Sequence, residues 1–224
     1  FIKISYTQGI PINYLLFPGI HNKSEDFFCL FIALAETNVG KDKGDLYRIN
    51  GYTHFYNEKL PEKSKGTGIC LYVHETLNAT LNEKLCTTTV NTESLFITIN
   101  KGEWKLNVGV IYRSPNGDPG EFFTELTQLV SNFPEDCKTV ILGDFNFDLM
   151  NQNNRFSNKF ENLILSHGFF PLISKPTHSI SDSQESCIDN ILTNDIDSVE
   201  LSAVVDNMCS HHKPILALFN FKIH

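Results

Sequence analysis

Lys138-Thr-Val-Ile-Leu-Gly-Asp-Phe-Asn146 is a short apolar run that ends in a glycine and two polar side chains. Val140, Ile141 and Leu142 have the length and composition of a buried strand. Gly143 stops that run where Asp144 and Asn146 can point together into a cleft. Being two residues apart, the carboxylate and the carboxamide share one face if the extended conformation persists. The alternative is an Asp-Phe-Asn turn that only caps the strand, in keeping with the turn chemistry of both residues. The rest of the chain has to decide between them.

The 224 residues, 41% of them hydrophobic, are enough for one large domain with a sizeable core. No run of the ~18 apolar residues that a membrane helix needs is present. The N-terminus, Phe1-Ile-Lys-Ile-Ser-Tyr-Thr7, has no signal-peptide pattern and no initiator Met, and reads as a fragment. Six cysteines are scattered without a Cys-x-x-Cys pair, which argues for thiols in a reducing compartment over disulfides or a zinc ribbon.

A net charge of −8 sits awkwardly with nucleic-acid binding, which releases counterions through basic groups along the phosphate path. Between Lys175 and Lys213 there is no Lys or Arg, while Asp182, Glu185, Asp189, Asp195, Asp197, Glu200 and Asp206 crowd the same interval. Such acid density suits a divalent cation; the alternative is a solvated acidic face.

Strands are expected at Phe31 to Ala35, delivering Glu36 at the end, and at Gly51–Tyr56, Ile69–Val73, Ser94–Ile99 and Leu106–Tyr112. Further ones are expected at Cys187–Leu192, Val199–Val205 and Pro214–Phe221. Asp118-Pro-Gly-Glu121 is a capping box, and Phe122, Phe123, Leu126, Leu129 and Val130 follow at helical spacing, so a helix covers about Pro119–Asn132. A second covers about Arg155–His167, stopped by Gly168. Strands dominate and helices cross between them, which predicts an α/β fold: a four-layer sandwich of two mixed β-sheets packed face to face with helices outside.

Polar residues recur wherever an apolar strand ends: Glu36, then Tyr112 and Arg113, then Asp144 and Asn146. Asp189 stands inside Cys187-Ile-Asp-Asn-Ile-Leu192, where a carboxylate needs a partner, and the candidates are a metal or His212. Six segments then occur in a telling order: Leu34-Ala-Glu-Thr37; Gly68-Ile-Cys-Leu-Tyr-Val73; Gly109-Val-Ile-Tyr-Arg-Ser-Pro115; Ile141-Leu-Gly-Asp-Phe-Asn146; Pro176-Thr-His178 with Cys187 to Asn194; and Ser210-His-His-Lys-Pro-Ile215. In this order they resemble the endonuclease/exonuclease/phosphatase superfamily, and within it the apurinic-type endonuclease domain of non-LTR retrotransposons.

The resemblance implies a metal-dependent phosphodiesterase that nicks DNA to prime reverse transcription at its target site. Glu36 would hold Mg²⁺; Asp144 would orient or deprotonate the attacking water; Asn146 and Tyr112 would contact the phosphate; Asp189 would fix His212 as acid/base or phosphate stabiliser. Arg113 and Ser210 would position phosphate or DNA. In the family an Asp precedes the final His, whereas His211 stands there, as a candidate metal ligand that would favour Mn²⁺ over Mg²⁺. The N-terminal Asn of the family has no counterpart in register, so residues 1–30 read as an atypical, truncated N-terminal segment of the domain whose body is 31–224. A monomer acting on DNA inside the cell, in the nucleus, is expected, with no membrane partner and with a reverse transcriptase in the parent polyprotein outside this sequence. The alternatives are a catalytically degenerate remnant, or a phosphoesterase acting on lipid or inositol phosphates.

Overall fold

The structure, a computed structural model, describes residues 2–8, 29–38, 48–57, 67–101, 104–181, 184–206 and 211–221. Four strands come early: β1 (Ile2–Gln8), β2 (Phe31–Ala35), β3 (Tyr52–Tyr56) and β4 (Cys70–His74). The middle of the chain supplies β5 (Thr80–Leu81), β6 (Thr87–Thr88), β7 (Thr92–Lys101), β8 (Trp104–Arg113), helix α1 (Pro119–Ser131), β9 (Lys138–Asp144) and helix α2 (Arg155–Ser166). The last third gives β10 (Phe170–Pro171), β11 (His178–Ser181), β12 (Gln184–Ser186), β13 (Asp189–Thr193), β14 (Val199–Val204) and β15 (Ile215–Phe219).

These strands form a six-stranded sheet in the order β14-β15-β1-β2-β4-β3 and a seven-stranded sheet built on β10-β13-β9-β8-β7-β5, with β6 also on β7. Both are mixed: β1 runs parallel to β2 and β8 parallel to β9, while the other pairs are antiparallel. Strands β11 and β12 stand apart as a hairpin. Alternation along β9 shows how the layers arise. Val140 and Leu142 join Phe31, Ala33, Leu71, Val110 and Ile191 in the core between the sheets, whereas Ile141 faces Phe122, Leu126 and Phe160 under the helices.

Both helices begin as their sequences dictate. The Asp118 carboxylate accepts from Glu121 N at 2.9 Å ahead of Pro119, and Asn154 Oδ1 accepts from Phe156 N at 2.8 Å. Gly168, at φ +75°, ends α2 in the left-handed conformation that glycine adopts freely. The predicted sandwich of two mixed sheets is therefore observed, with both described helices on the outer face of the seven-stranded sheet. The outer face of the other sheet carries a smaller cluster of Ile32, Leu34, Cys70 and Tyr72. Among the described residues Cys29, Cys70, Cys86, Cys137 and Cys187 form no disulfide, as expected.

Two local expectations are corrected. The strand expected from Cys187 begins at Asp189, because the Cys187 and Ile188 amides turn to Asp148 Oδ1 and Thr177 Oγ1 instead of entering the ladder. The poorly legible N-terminus supplies an interior strand: β1 lies between β2 and β15. The truncation expected within residues 1–30 falls mostly on residues 9–28, outside the described ones.

Gly143 lies where β8 and β13 flank β9, and a Cβ there would meet the Ile111 carbonyl oxygen at 2.2 Å. Backbone cannot move aside as a side chain can. Gly143→Ala should therefore destabilise the fold by about 1–3 kcal/mol or more, read as a lower urea midpoint. An unchanged midpoint would mean that the two strands do not pair in this register.

Candidate active site

The apolar layer between the sheets ends, at one rim, in a polar one. Glu93 of β7 is the register partner of Tyr112 of β8, Tyr112 of Asp144 of β9, and Asp144 of Asp189 of β13. All four lie on the face that carries Leu95, Val110, Leu142 and Ile191 two residues deeper. They are nearly inaccessible, at 2%, 2%, 1% and 0% exposure. Alternation thus delivers a row of ionisable groups into low dielectric, where charges act strongly on one another.

Glu36 reaches this row by a different route. Ile32 and Leu34 point to the outer cluster, so simple alternation would send Glu36 outward as well. Its backbone instead takes φ +52°, and its carboxylate Oε1 accepts from the Tyr112 hydroxyl at 2.7 Å. A non-glycine residue holds such a conformation only where its surroundings enforce it. Here Thr37 N donates to Gly68 O and Asn38 N to Thr67 O, each at 2.9 Å, and Asn38 Nδ2 donates to Glu36 O at 2.8 Å.

Asp189 pairs with His212, whose Nδ1 donates to Oδ2 at 2.9 Å. That bond fixes the tautomer and leaves Nε2 as the basic nitrogen. Thr177 ties the pair together: its hydroxyl accepts from Asp189 N at 3.1 Å and its carbonyl from Lys213 N at 2.6 Å. The His178 ring lies 4.6 Å from that of His212, and burial, followed by the neighbouring His212, lowers the pKa of His178. Burial first, then the charges of Asp189 and Glu36, push the Asp144 carboxyl well above the carboxylate range, against the Asn146 amide and Arg113. Burial and the hydrogen bond to Glu36 likewise raise the Tyr112 phenol.

The donor set fits a divalent cation. Donor atoms of Asp144, Asp189 and His212 lie within 4.8 Å of one another. Ligands ~2.1 Å from one ion sit at most ~4.2 Å apart, so shifts of about half an ångström would close the set around it. Asp189 Oδ1 is buried with no hydrogen-bond partner in the structure, an arrangement that a cation would relieve.

Not every expected residue arrives as anticipated. Asn146 does not share a strand face with Asp144, because extended backbone stops at Asp144 and Asn146 adopts φ +51°. Asn146 N donates to Asp144 Oδ1 at 2.9 Å, so the capping turn and the site are one feature. Arg113, expected to position phosphate or DNA, is 4% exposed and stacks 4.3 Å from the Phe147 ring centroid. Its guanidinium donates to Gly117 O and Asn146 O, while Asn146 Nδ2 donates to Arg113 O at 2.7 Å. It braces the rim from behind. His211 is exposed and is not part of the Asp144, Asp189 and His212 group. Among the described residues of the acidic interval only Asp189 enters the cluster; Asp195 pairs with Lys138 and Glu185 with Lys213. Ser210 lies outside the described residues. Glu93 and Thr177 were missed as supporting residues, the first because one acid at the start of a strand looks like any surface residue.

A sandwich of two sheets with a buried acidic cluster and an Asp–His pair at one rim defines a class of phosphate-ester hydrolases. Residues 106–216 match the model of the family described as endonuclease-reverse transcriptase. Over that stretch the chain is similar to this family. Among solved structures it is similar to the endonuclease domain of TRAS1, a telomere-specific non-LTR retrotransposon, with a TM-score of 0.74 at 12% identity over 99% of this chain and 100% of that one. It is also similar to the AP endonuclease LMAP of Leishmania major (TM-score 0.71, 11% identity, 99% and 88% covered). The catalytic domain of Xenopus laevis APE2 follows (TM-score 0.63, 16% identity, 97% and 91% covered). No curated protein matches the chain.

Because the folded-state pKa of Asp144 lies above its unfolded value, the stability linked to it is fully present below the unfolded pKa and is lost as pH rises through the folded one. Asp144→Asn removes that loss. The variant should melt above the parent at pH 8, by a few degrees since ~1 kcal/mol corresponds to about 2–4 °C at this size, with the gap closing toward pH 4. Equal melting curves at pH 8 would show that the carboxylate is not destabilised by its surroundings.

Proposed function

We propose that this chain is a divalent-metal-dependent endonuclease that nicks DNA, of the kind that non-LTR retrotransposons use to prime reverse transcription at their target. The observation that carries the reading is the rim itself: Glu36 against Tyr112, Asp144 beside Asp189, and Asp189 on His212, brought together from strand ends of both sheets. The match of residues 106–216 and the likeness to the TRAS1 domain support DNA as the substrate. Action in the nucleus alongside a reverse transcriptase, as a monomer, is part of the same proposal.

The Asp144 and Asp189 carboxylates, with Glu36 reaching the rim beside Tyr112, would hold Mg²⁺ or Mn²⁺, which when bound supplies a Lewis acid that screens the phosphate charge. The protein's own groups do the rest. Asp144, with its proton affinity raised by burial, takes the proton of the attacking water. Tyr112 presents its hydroxyl at the carboxylate edge where a phosphate oxygen would sit, and the second hydrogen of the Asn146 amide donates to that oxygen. His212, with Nδ1 committed to Asp189, would take a proton at Nε2 and, once protonated there, donate it to the developing charge or to the leaving oxygen.

A reading in which the chain binds DNA without cutting it rests on His211, exposed where the resemblance calls for an Asp. Nicking of supercoiled plasmid by the purified protein, with Mg²⁺ and with Mn²⁺, decides between the two. Glu36→Gln should abolish metal-dependent nicking. Asp189→Asn should slow it by about 10² or more, and adding His212→Ala should cost little beyond that, since the pair acts as one unit. Plasmid retarded on a gel but never nicked would favour binding alone, and multiplying losses in the double variant would break the pair apart.

A further inference from the structure

Glu93 has no task in the chemistry above, yet its placement is costly. It occupies an inward position of β7 whose successors on the same face are Leu95, Ile97 and Ile99, and it is 2% exposed. A carboxylate in such a place is expensive unless its hydrogen bonds are met. Both of its oxygens approach Gly68 N, at 3.1 and 3.0 Å. Gly68 itself takes φ +91°, and a Cβ on it would meet Thr37 Oγ1 at 2.7 Å, so the segment 67–68 is pressed against the residues that follow Glu36. The carbonyls of Thr67 and Gly68 are the acceptors for Asn38 N and Thr37 N. On the other side, Glu93 is the register partner of Tyr112, whose hydroxyl holds the Glu36 carboxylate. Glu93 thus touches both supports of the left-handed Glu36.

We propose that Glu93 is a positioning residue that fixes Glu36 through Gly68, and so sets the affinity of the rim for a divalent cation. The clamp on Glu36 stands by itself; its effect on cation affinity rests on the nuclease reading. The Glu93 carboxyl offers the Gly68 amide two acceptor oxygens at hydrogen-bond distance. With Gly68 released, the bonds to Thr37 and Asn38 loosen and Glu36 can relax to the extended backbone that alternation favours.

The test uses the full chain with Glu93→Ala, Glu93→Asp and Glu93→Gln. Amide hydrogen exchange at Thr37 and Asn38 reads the clamp without metal. Depletion of the free Mn²⁺ signal in electron paramagnetic resonance reads cation binding without DNA. Glu93→Ala should raise exchange at Thr37 and Asn38 by about tenfold or more while Leu142 in β9 stays protected, and should raise the half-saturating Mn²⁺ concentration by a similar factor. Glu93→Gln, which keeps an acceptor oxygen at the same reach, should restore both to within a few-fold of the parent. If the alanine variant does not fold, Glu93→Asp, with the charge kept and the reach shortened by one methylene, should give the same faster exchange. Unchanged exchange at Thr37 and Asn38, or an equal rise at Leu142, would overturn the proposal. A parent that takes up no Mn²⁺ would sink the nuclease reading, while the exchange measurement would still decide the clamp.

Discussion

Two carboxylates, Asp144 and Asp189, face each other across adjacent buried strands, and the architecture of the rim answers that constraint. Like charges so placed repel strongly in a low dielectric, and each must find a proton, a donor or a cation. The Asn146 amide meets one oxygen of Asp144, His212 meets one of Asp189, and Arg113 lies close enough to favour the ionised form of Asp144. The tension left over is the property a hydrolase needs. An acidic pocket held ready by the fold is a better ligand for a cation, and a better base, than the same groups relaxed in water.

How far this could be read from the sequence follows from which forces are local. The strands were legible because Val140, Ile141 and Leu142, or Phe31 to Ala35, carry their own hydrophobic signal, and α1 because Asp118 and Pro119 announce its start. The pairing of Asp189 with His212 was legible because a buried Asp in an apolar run has few partners. Features that depend on chain segments distant in sequence were not. The left-handed turn at Glu36 is enforced by Thr67 and Gly68, and nothing in Leu34-Ala-Glu-Thr37 foretells it. Arg113 looked like a surface cation, because its burial depends on the Phe147 and Phe122 rings that the fold stacks beside it. The local sequence leaves Asn146 open between an extended and a capping form, because the choice is made by Arg113, which exchanges two bonds with it and fixes the left-handed form.

That exchange between Arg113 and Asn146 also explains how the ends of β8 and β9 stay in step. The two strands are parallel, so no hairpin joins them at the rim; α1 intervenes between them in the chain. The side chain of each loop binds the backbone of the other, and the arginine rests on an aromatic ring already packed in the helix layer. Reactive groups on two separate loops thereby inherit the rigidity of the core beneath them.

The position of β1 has a kinetic meaning. Its neighbours in the six-stranded sheet are β2 and the last strand, β15, with Ile2 opposite Phe219. The two strands of this pair lie at opposite ends of the described domain, so the sheet cannot be zipped shut until synthesis has passed β15. Loop closure over nearly the whole sequence must precede that contact, which places the domain among the slow folders of high contact order. Until then β1 presents an open edge to whatever else is nascent nearby, and the molecule is most exposed to mispairing in the interval just before β15 arrives.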